Sequence, residues 1–384
     1  MPDAPREQRA AGREDRGWDT RTVLRVGLLW LVAANSRTVI LALPPVLPDI
    51  HRQLGLDELQ IGLLTTLPVL LLGLAAVAGA AAVAHVGIRR TLVGGCLAVG
   101  AASALRGGGG VVALFGGSVL LGLAISVLQP ALPTVAQAWF GKRVGVATAI
   151  YGNGFVAGEA IAASVMLPFV VPLAGGWRPA LALWGIPGAL LAALLLLPIA
   201  SVPAVEGESA TGWLPDPRNP WTWRLGAFQA GGSALYFGTN AFIPTELHAV
   251  GRPDLVAPCL AALNVTQLGA AVVVALLAHR GARTRPAMAV CGAFAAAGLV
   301  LVAFAPGPLA VVGCAVVGLT SAASFAVALA LPPIVARPSE VHRLSAGMFS
   351  IGYLAAFLLP LMGGLAWDAT GQPRSAFLPG FVGA

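Results

Sequence analysis

The sequence predicts an all-α integral membrane protein made of two six-helix halves. Three observations predict it: an apolar composition, apolar runs long enough to cross a bilayer, and a pattern that recurs at a nearly constant offset. The 384-residue chain is 57% hydrophobic and 10% charged, with a mean hydropathy of +0.83. Soluble domains carry about 25% charged residues, and about 20 apolar residues cross the hydrocarbon core as a helix. Runs of that kind lie at about 24–48, 58–83, 91–106, 111–137, 146–171, 178–200, 222–247, 256–279, 286–305, 308–334 and 344–366. A twelfth begins at "SAFLPGFVGA", but the chain stops at Ala384, so the reading is of a truncated last helix. The runs are too long and too uniformly apolar for barrel strands.

The N-terminal "MPDAPREQRAAGREDRGWDTR" is polar and mixed in charge, which predicts disorder. "VGLLWLVAA" in the first run resembles the apolar region of a secretory signal. Apolar character resumes straight after Arg37, however, so the run reads as a retained span. With residues 1–25 on the cytoplasmic side, the N-terminus and alternate loops hold 17 of the 23 Lys/Arg. The opposite loops hold five (Arg52, Arg106, Arg178, Arg252 and Arg374), and Arg37 is the remaining one. This asymmetry predicts a multi-pass protein of the inner (plasma) membrane with its N-terminus inside. It accounts for the net charge of +7 without nucleic acid, since the basic residues are scattered and lack interleaved aromatics. The four cysteines (Cys96, Cys259, Cys291 and Cys314) lie in or beside apolar runs without metal spacing and read as small buried residues.

The repeat appears in three places. "AHVGIRR" (84–90) follows the second run and "AHRGART" (278–284) the eighth, at an offset of 194. Pro45 and Pro244 close the first and seventh runs at an offset of 199, and "YGNGFVAG" (151–158) aligns with "FSIGYLAA" (349–356) at 198. Six is even, so both copies start on one side of the membrane, related by an axis along its normal. The predicted organisation is a tail at 1–22, one half at 23–200, a polar, Pro-rich cytoplasmic linker at 201–221, and a second half at 222–384.

This architecture resembles the major facilitator superfamily, and "AHVGIRR" resembles its loop between the second and third helices. The resemblance assigns Gly87, Arg89 and Arg90 to a loop that works during conformational change. Ala84 stands where the family carries an Asp, so that acid's role is not carried over. Within the superfamily the chain is similar to the cyanate permease and nitroimidazole transporter family along nearly its whole length. The matching pieces are Asn35-x-Arg37, "PPVLPDI", "LTTLPV", "GLAISVLQPALPTVAQAWF", Tyr236 and "IPTEL".

Arg37 is the only charge of the first run between Val26 and Pro48. A central arginine costs roughly 3 kcal/mol on insertion scales and must face protein or water. Glu159 is the only acid deep within any run. Both residues lie about 12 to 14 positions into outward-running helices, hence at nearly one depth. One reading is a structural ion pair. The other is functional: Arg37 and Tyr236 each stand eight residues before an equivalent Pro. In the superfamily the first and seventh helices face the central cavity, so the resemblance places these two across it. A planar guanidinium and a phenol converging there suit a small anion or polar planar ligand. A ligand that takes over Arg37 would release Glu159 to bind a proton, coupling the two fluxes.

Gln129, Tyr151 and Asn264 are further candidate ligand contacts, each equally readable as an interhelical hydrogen bond. Pro44, Pro45, Pro68, Pro130, Pro133 and Pro360 predict kinks. Zinc spacings, a G-x-S-x-G elbow and nucleotide fingerprints are absent from the sequence, and no cofactor or metal is implied. The sequence therefore predicts a secondary transporter, monomeric, whose partners are a small solute, protons and the bilayer. Uptake of a small polar or anionic solute competes with proton-driven export of nitroimidazole-like compounds. A receptor or scaffold on the same fold is the remaining class, but the polar segments leave no room for a signalling domain.

Overall fold

Asp19 accepts a hydrogen bond from the Thr22 amide at 2.9 Å and caps the first helix, α1 (Thr20–Leu41), of this computed structural model. The structure describes residues 19–56, 58–202, 212–270, 272–274, 284–305 and 307–383. The predicted disordered segment up to Trp18, the middle of the linker (203–211) and the second loop copy with His279, Gly281 and Arg283 lie outside these residues.

Pro44 and Pro45 end α1. Neither can donate a backbone hydrogen bond, and a proline disfavours helix in the residue before it. The chain tightens into a 3₁₀ turn (Pro44–Val46) and restarts as α2 (Leu47–Leu54). At the break Leu43 N turns to Ile40 O at 3.3 Å, and Arg106 Nη1 donates to Val39 O at 2.6 Å. Arg106 is itself buried. An arginine thus supplies the partner that the helix end loses.

The longer helices of the first half are α3 (Glu58–Leu74), α4 (Ala76–Val86), α5 (Ile88–Gly107), α6 (Gly110–Phe140), α7 (Val144–Val165), α8 (Trp177–Leu183) and α9 (Gly185–Leu195). After the linker come α10 (Pro220–Ala249), α11 (Val256–Val265), α12 (Thr284–Phe304), α13 (Pro308–Ala330), α14 (Val341–Thr370) and the short α15 (Leu378–Gly383). By length and apolarity, Thr20–Leu54, Ile88–Gly107, Gly110–Ala162, Trp177–Leu195, Pro308–Val335 and Val341–Trp367 can cross a membrane. Leu63–Leu74 with Ala76–Val86, bent by 49°, adds another. Gly110–Ala162 is two passes. Gln129 and Phe155, each about a dozen residues from the 141–143 turn, come to one depth beside Arg37 and Tyr353, so the chain doubles back there.

Apart from the break at Pro44 and Pro45, the prolines do not interrupt the helices. Pro68, Pro130, Pro133, Pro244 and Pro360 lie inside continuous helices. The second run bends at Ala75, just past Gly73, where a Cβ would come within 2.9 Å of Leu354 N on α14. Close backbone approach, rather than proline, accompanies this bend. The eighth run breaks because Thr266 Oγ1 turns back to Ala262 O (2.8 Å) and across to Ala315 O (2.9 Å), and residues 266–269 tighten to 3₁₀.

α1 packs on α7 and α10 on α14, the same pairing in each half. Between halves, α14 lies against α3, α4 and α6, and α13 against α7. At the end where α1, α7 and α14 begin, both halves contribute to one apolar cluster. Val135, Phe140 and Val144 meet Ala328, Leu329, Leu344 and Met348 there. At the opposite end each half keeps its own cluster, one around Leu43, Ile50 and Trp177, the other around Ile243, Leu247 and Cys259. The molecule is sealed at one end and divided at the other.

Candidate functional site

Gly154 and Gly158, one turn apart on α7, face the backbone of α1. A Cβ at Gly154 would lie 2.5 Å from Trp30 O, and one at Gly158 would meet Ala34 O more closely still. This small-xxx-small spacing lets the two helices touch. The same contact carries Phe155 and Glu159, each one residue beyond a glycine, to Arg37.

Arg37 is 7% exposed and sits among rings. Its guanidinium carbon lies 5.4 Å from the ring centre of Phe155, 5.8 Å from Tyr353 and 6.0 Å from Phe325. Such contacts contribute about 0.5–2 kcal/mol each. Nη2 donates to Tyr353 Oη at 2.7 Å, Nη1 stands 3.7 Å from Glu159 Oε1, and Nε has no hydrogen-bond partner among the described residues. The cation is therefore only partly committed.

A cavity partly open to solvent adjoins this group. Arg37, Glu159 and Phe155 line one side, with Tyr236, Gln229, Ser233 and Gln267 from the second half on another. Phe228, Phe237, Phe325, Ser321 and Tyr353 complete much of the wall. The 3₁₀ turn after α11 sets the polar corner. Tyr236 Oη donates to Asn264 Oδ1 at 2.8 Å, and Gln267 Nε2 reaches the same oxygen at 3.3 Å. Asn264 Nδ2 is anchored on Leu260 O.

Of the residues singled out from the sequence, Arg37, Tyr236 and Glu159 line the cavity. Asn264 is one hydrogen bond behind Tyr236. Gln129 and Tyr151 are not among the lining residues. Gln129 Nε2 donates to Tyr353 Oη at 3.1 Å, and Tyr151 is fully buried edge-on to Phe155. In the loop, Gly87 adopts φ +90° between α4 and α5, a left-handed conformation that favours glycine. Arg89 donates to the carbonyls of Leu195, Leu196 and Leu197 and so caps the end of α9, while Arg90 is exposed. Sequence reasoning passed over Gln229, Ser233 and the phenylalanines of the wall, which look like ordinary helix residues. Tyr353 carried a signal, since the 198-residue offset aligns it with Phe155.

Residues 29–360 match the family model of the Major Facilitator Superfamily. The chain is 28% identical over 364 residues to the 2-nitroimidazole transporter of Escherichia coli (strain K12), covering 92% of this chain and 90% of that protein. It is 25% identical over 354 residues to the cyanate transport protein CynX of the same organism (90% of each), and 26% identical over 348 residues to the uncharacterized transporter YycB of Bacillus subtilis (strain 168) (88% and 85%). The fold is similar to the crystal structure of the human organic anion transporter MFSD10, with a TM-score of 0.75 at 15% identity (94% and 98% covered). It is also similar to that of FucP in the outward conformation, at 0.73 and 13% (94% and 96%).

Proposed function

The chain belongs to the Major Facilitator Superfamily, whose members carry small solutes across membranes, and from that premise we propose a secondary active transporter for a small polar or anionic solute, working by alternating access. The observation that supports this best is Arg37: a buried guanidinium whose Nε has no hydrogen-bond partner among the described residues, lining a cavity shared by both halves. Such a fork suits a carboxylate, nitro group or comparable planar acceptor. Tyr236, held by Asn264 and backed by Gln267, offers a phenol hydrogen bond from the other half.

Glu159 is the proposed proton site. Its carboxylate is close enough to Arg37 to attract it and too far to hydrogen-bond it, at 3.7 Å. A bound anion that draws the guanidinium away leaves Glu159 free to take up a proton. Residues 1–22 and the linker 201–221 are assigned to the cytoplasm of an inner-membrane protein by the basic loops. On that assignment the sealed end is cytoplasmic and the cavity faces outward.

A second reading is export of flat ring compounds of nitroimidazole type. The rings of Phe155, Phe228, Phe237 and Phe325 favour it, because a three-atom anion has no use for so much aromatic wall. Purified protein in vesicles, assayed for binding and for flux in both directions with small anions and azoles, tests both readings. Saturable anion uptake supports the first, and pH-driven azole efflux supports the second. Absence of saturable flux for every probe would return the chain to a receptor-like role.

A further inference from the structure

The cavity and the sealed end meet at one side chain, Tyr353. Its hydroxyl accepts from Arg37 Nη2 at 2.7 Å and from Gln129 Nε2 at 3.1 Å. Two accepted bonds use both lone pairs of a phenol oxygen. The donors belong to α1 and α6 of the first half, and the acceptor to α14 of the second. All three residues are buried, with Tyr353 at 1%. Below the hydroxyl the ring stacks on Phe349, centroids 5.9 Å apart and planes at 14°. Phe349 is part of the apolar cluster that closes the sealed end.

The tie is one-sided. Phe155, aligned with Tyr353 by the repeat, packs on the same guanidinium without a hydroxyl. This polar junction across the halves thus shares its donor, Arg37, with the cavity.

We propose that Tyr353 transmits occupancy of Arg37 to the sealed end. While the guanidinium rests on the phenol, α1 and α6 are fastened to α14 directly above the seal. An anion that turns the guanidinium toward the cavity takes away the shorter bond and leaves Gln129 alone on the oxygen. The halves are then freer to part at Phe349, Met348 and Leu329. The inference rests on the proposed role of Arg37 as the solute cation. Tyr353 is a positioning residue here and need not touch the solute.

The test reads the seal rather than transport. Ala328→Cys puts a thiol at a fully buried position of the shared cluster, and its maleimide labelling rate in vesicles, normalised to folded protein, reports opening. Tyr353→Phe keeps the ring stack and removes the hydroxyl, so labelling should rise several-fold. Arg37→Met should raise it too, by no more than Tyr353→Phe because Gln129 keeps its bond to the phenol, and the double variant should go no further than Tyr353→Phe alone. Benzoate, nitrate and 2-nitroimidazole serve as probes. A probe that binds should raise labelling in the parent and have little added effect in Tyr353→Phe. Unchanged labelling in Tyr353→Phe overturns the proposal, as do additive single-variant effects or an undiminished probe response in Tyr353→Phe. If no probe moves the parent, the solute reading of Arg37 fails for those probes. The ligand-free comparison of single and double variants still decides whether the tie exists.

Discussion

Arg37 stands nearer to a phenol than to its carboxylate: 2.7 Å to Tyr353 Oη against 3.7 Å to Glu159 Oε1. The cation is fastened to the opposite half by hydrogen bond and to its own half only by attraction. The acid is consequently replaceable without breaking a bond that holds the helices.

Glu159→Gln should therefore still bind solute, and more tightly, because the competitor for Arg37 is gone. Accumulation driven by a pH gradient should disappear. One pH unit is worth about 1.4 kcal/mol, so a one-proton symport concentrates solute about tenfold per unit, and the variant should only equilibrate. Solute exchange without net proton movement should persist. The measurement is gradient-driven uptake beside exchange in the same vesicles, and retained accumulation would falsify the proton role.

Arg37→Lys should weaken solute binding at least tenfold, about 1.4 kcal/mol. The ammonium keeps the charge but loses the planar fork and the stacking on Phe155, Phe325 and Tyr353. Calorimetric titration of purified protein checks this, and an unaltered Kd removes Arg37 from the binding site.

Tyr236→Phe removes one hydrogen-bonding hydroxyl and should cost about 1 kcal/mol, roughly fivefold in affinity. Asn264 Oδ1 keeps Gln267 as donor, so folding should be little affected. Equal Kd values for the variant and the parent would leave the phenol a packing group only.

Gly158→Val should lower the yield of folded protein and its Tm. The added side chain meets Ala34 O, and forcing atoms into a packed contact costs typically 1–3 kcal/mol. Gly94→Ala, which has open space within 4 Å, is the matched control. Equal melting temperatures for both would mean that α1 and α7 do not depend on close contact.

Much of the site is legible in the sequence. A lone arginine and a lone glutamate in apolar runs stand out, and the fixed rise of a helix places them at one depth. Tyr236 follows from its spacing to an aligned proline. Bends are less legible: Pro44 and Pro45 mark the break after α1, but the bend at Ala75 comes where Gly73 presses against α14. Gln129 and Tyr353 need the packing of α6 on α14, a pairing between halves that no local pattern encodes. The 3₁₀ turn at 266–269, which aims Gln267 and Asn264 at Tyr236, depends on a threonine bonding to a neighbouring helix.

Arg106 holds the broken end of α1 two residues beyond Arg37, through the carbonyl of Val39. α1 is thereby pinned to α5 at one end and pressed against α7 along its length, so these three helices are tied into one unit. On the proposed alternating-access cycle, Arg37 ends each turnover at the position in the membrane's electric field from which it started. The guanidinium then contributes no net charge over a full cycle, and the steady-state current is set by the solute and any proton alone. Steady-state current per solute therefore counts the protons carried with it.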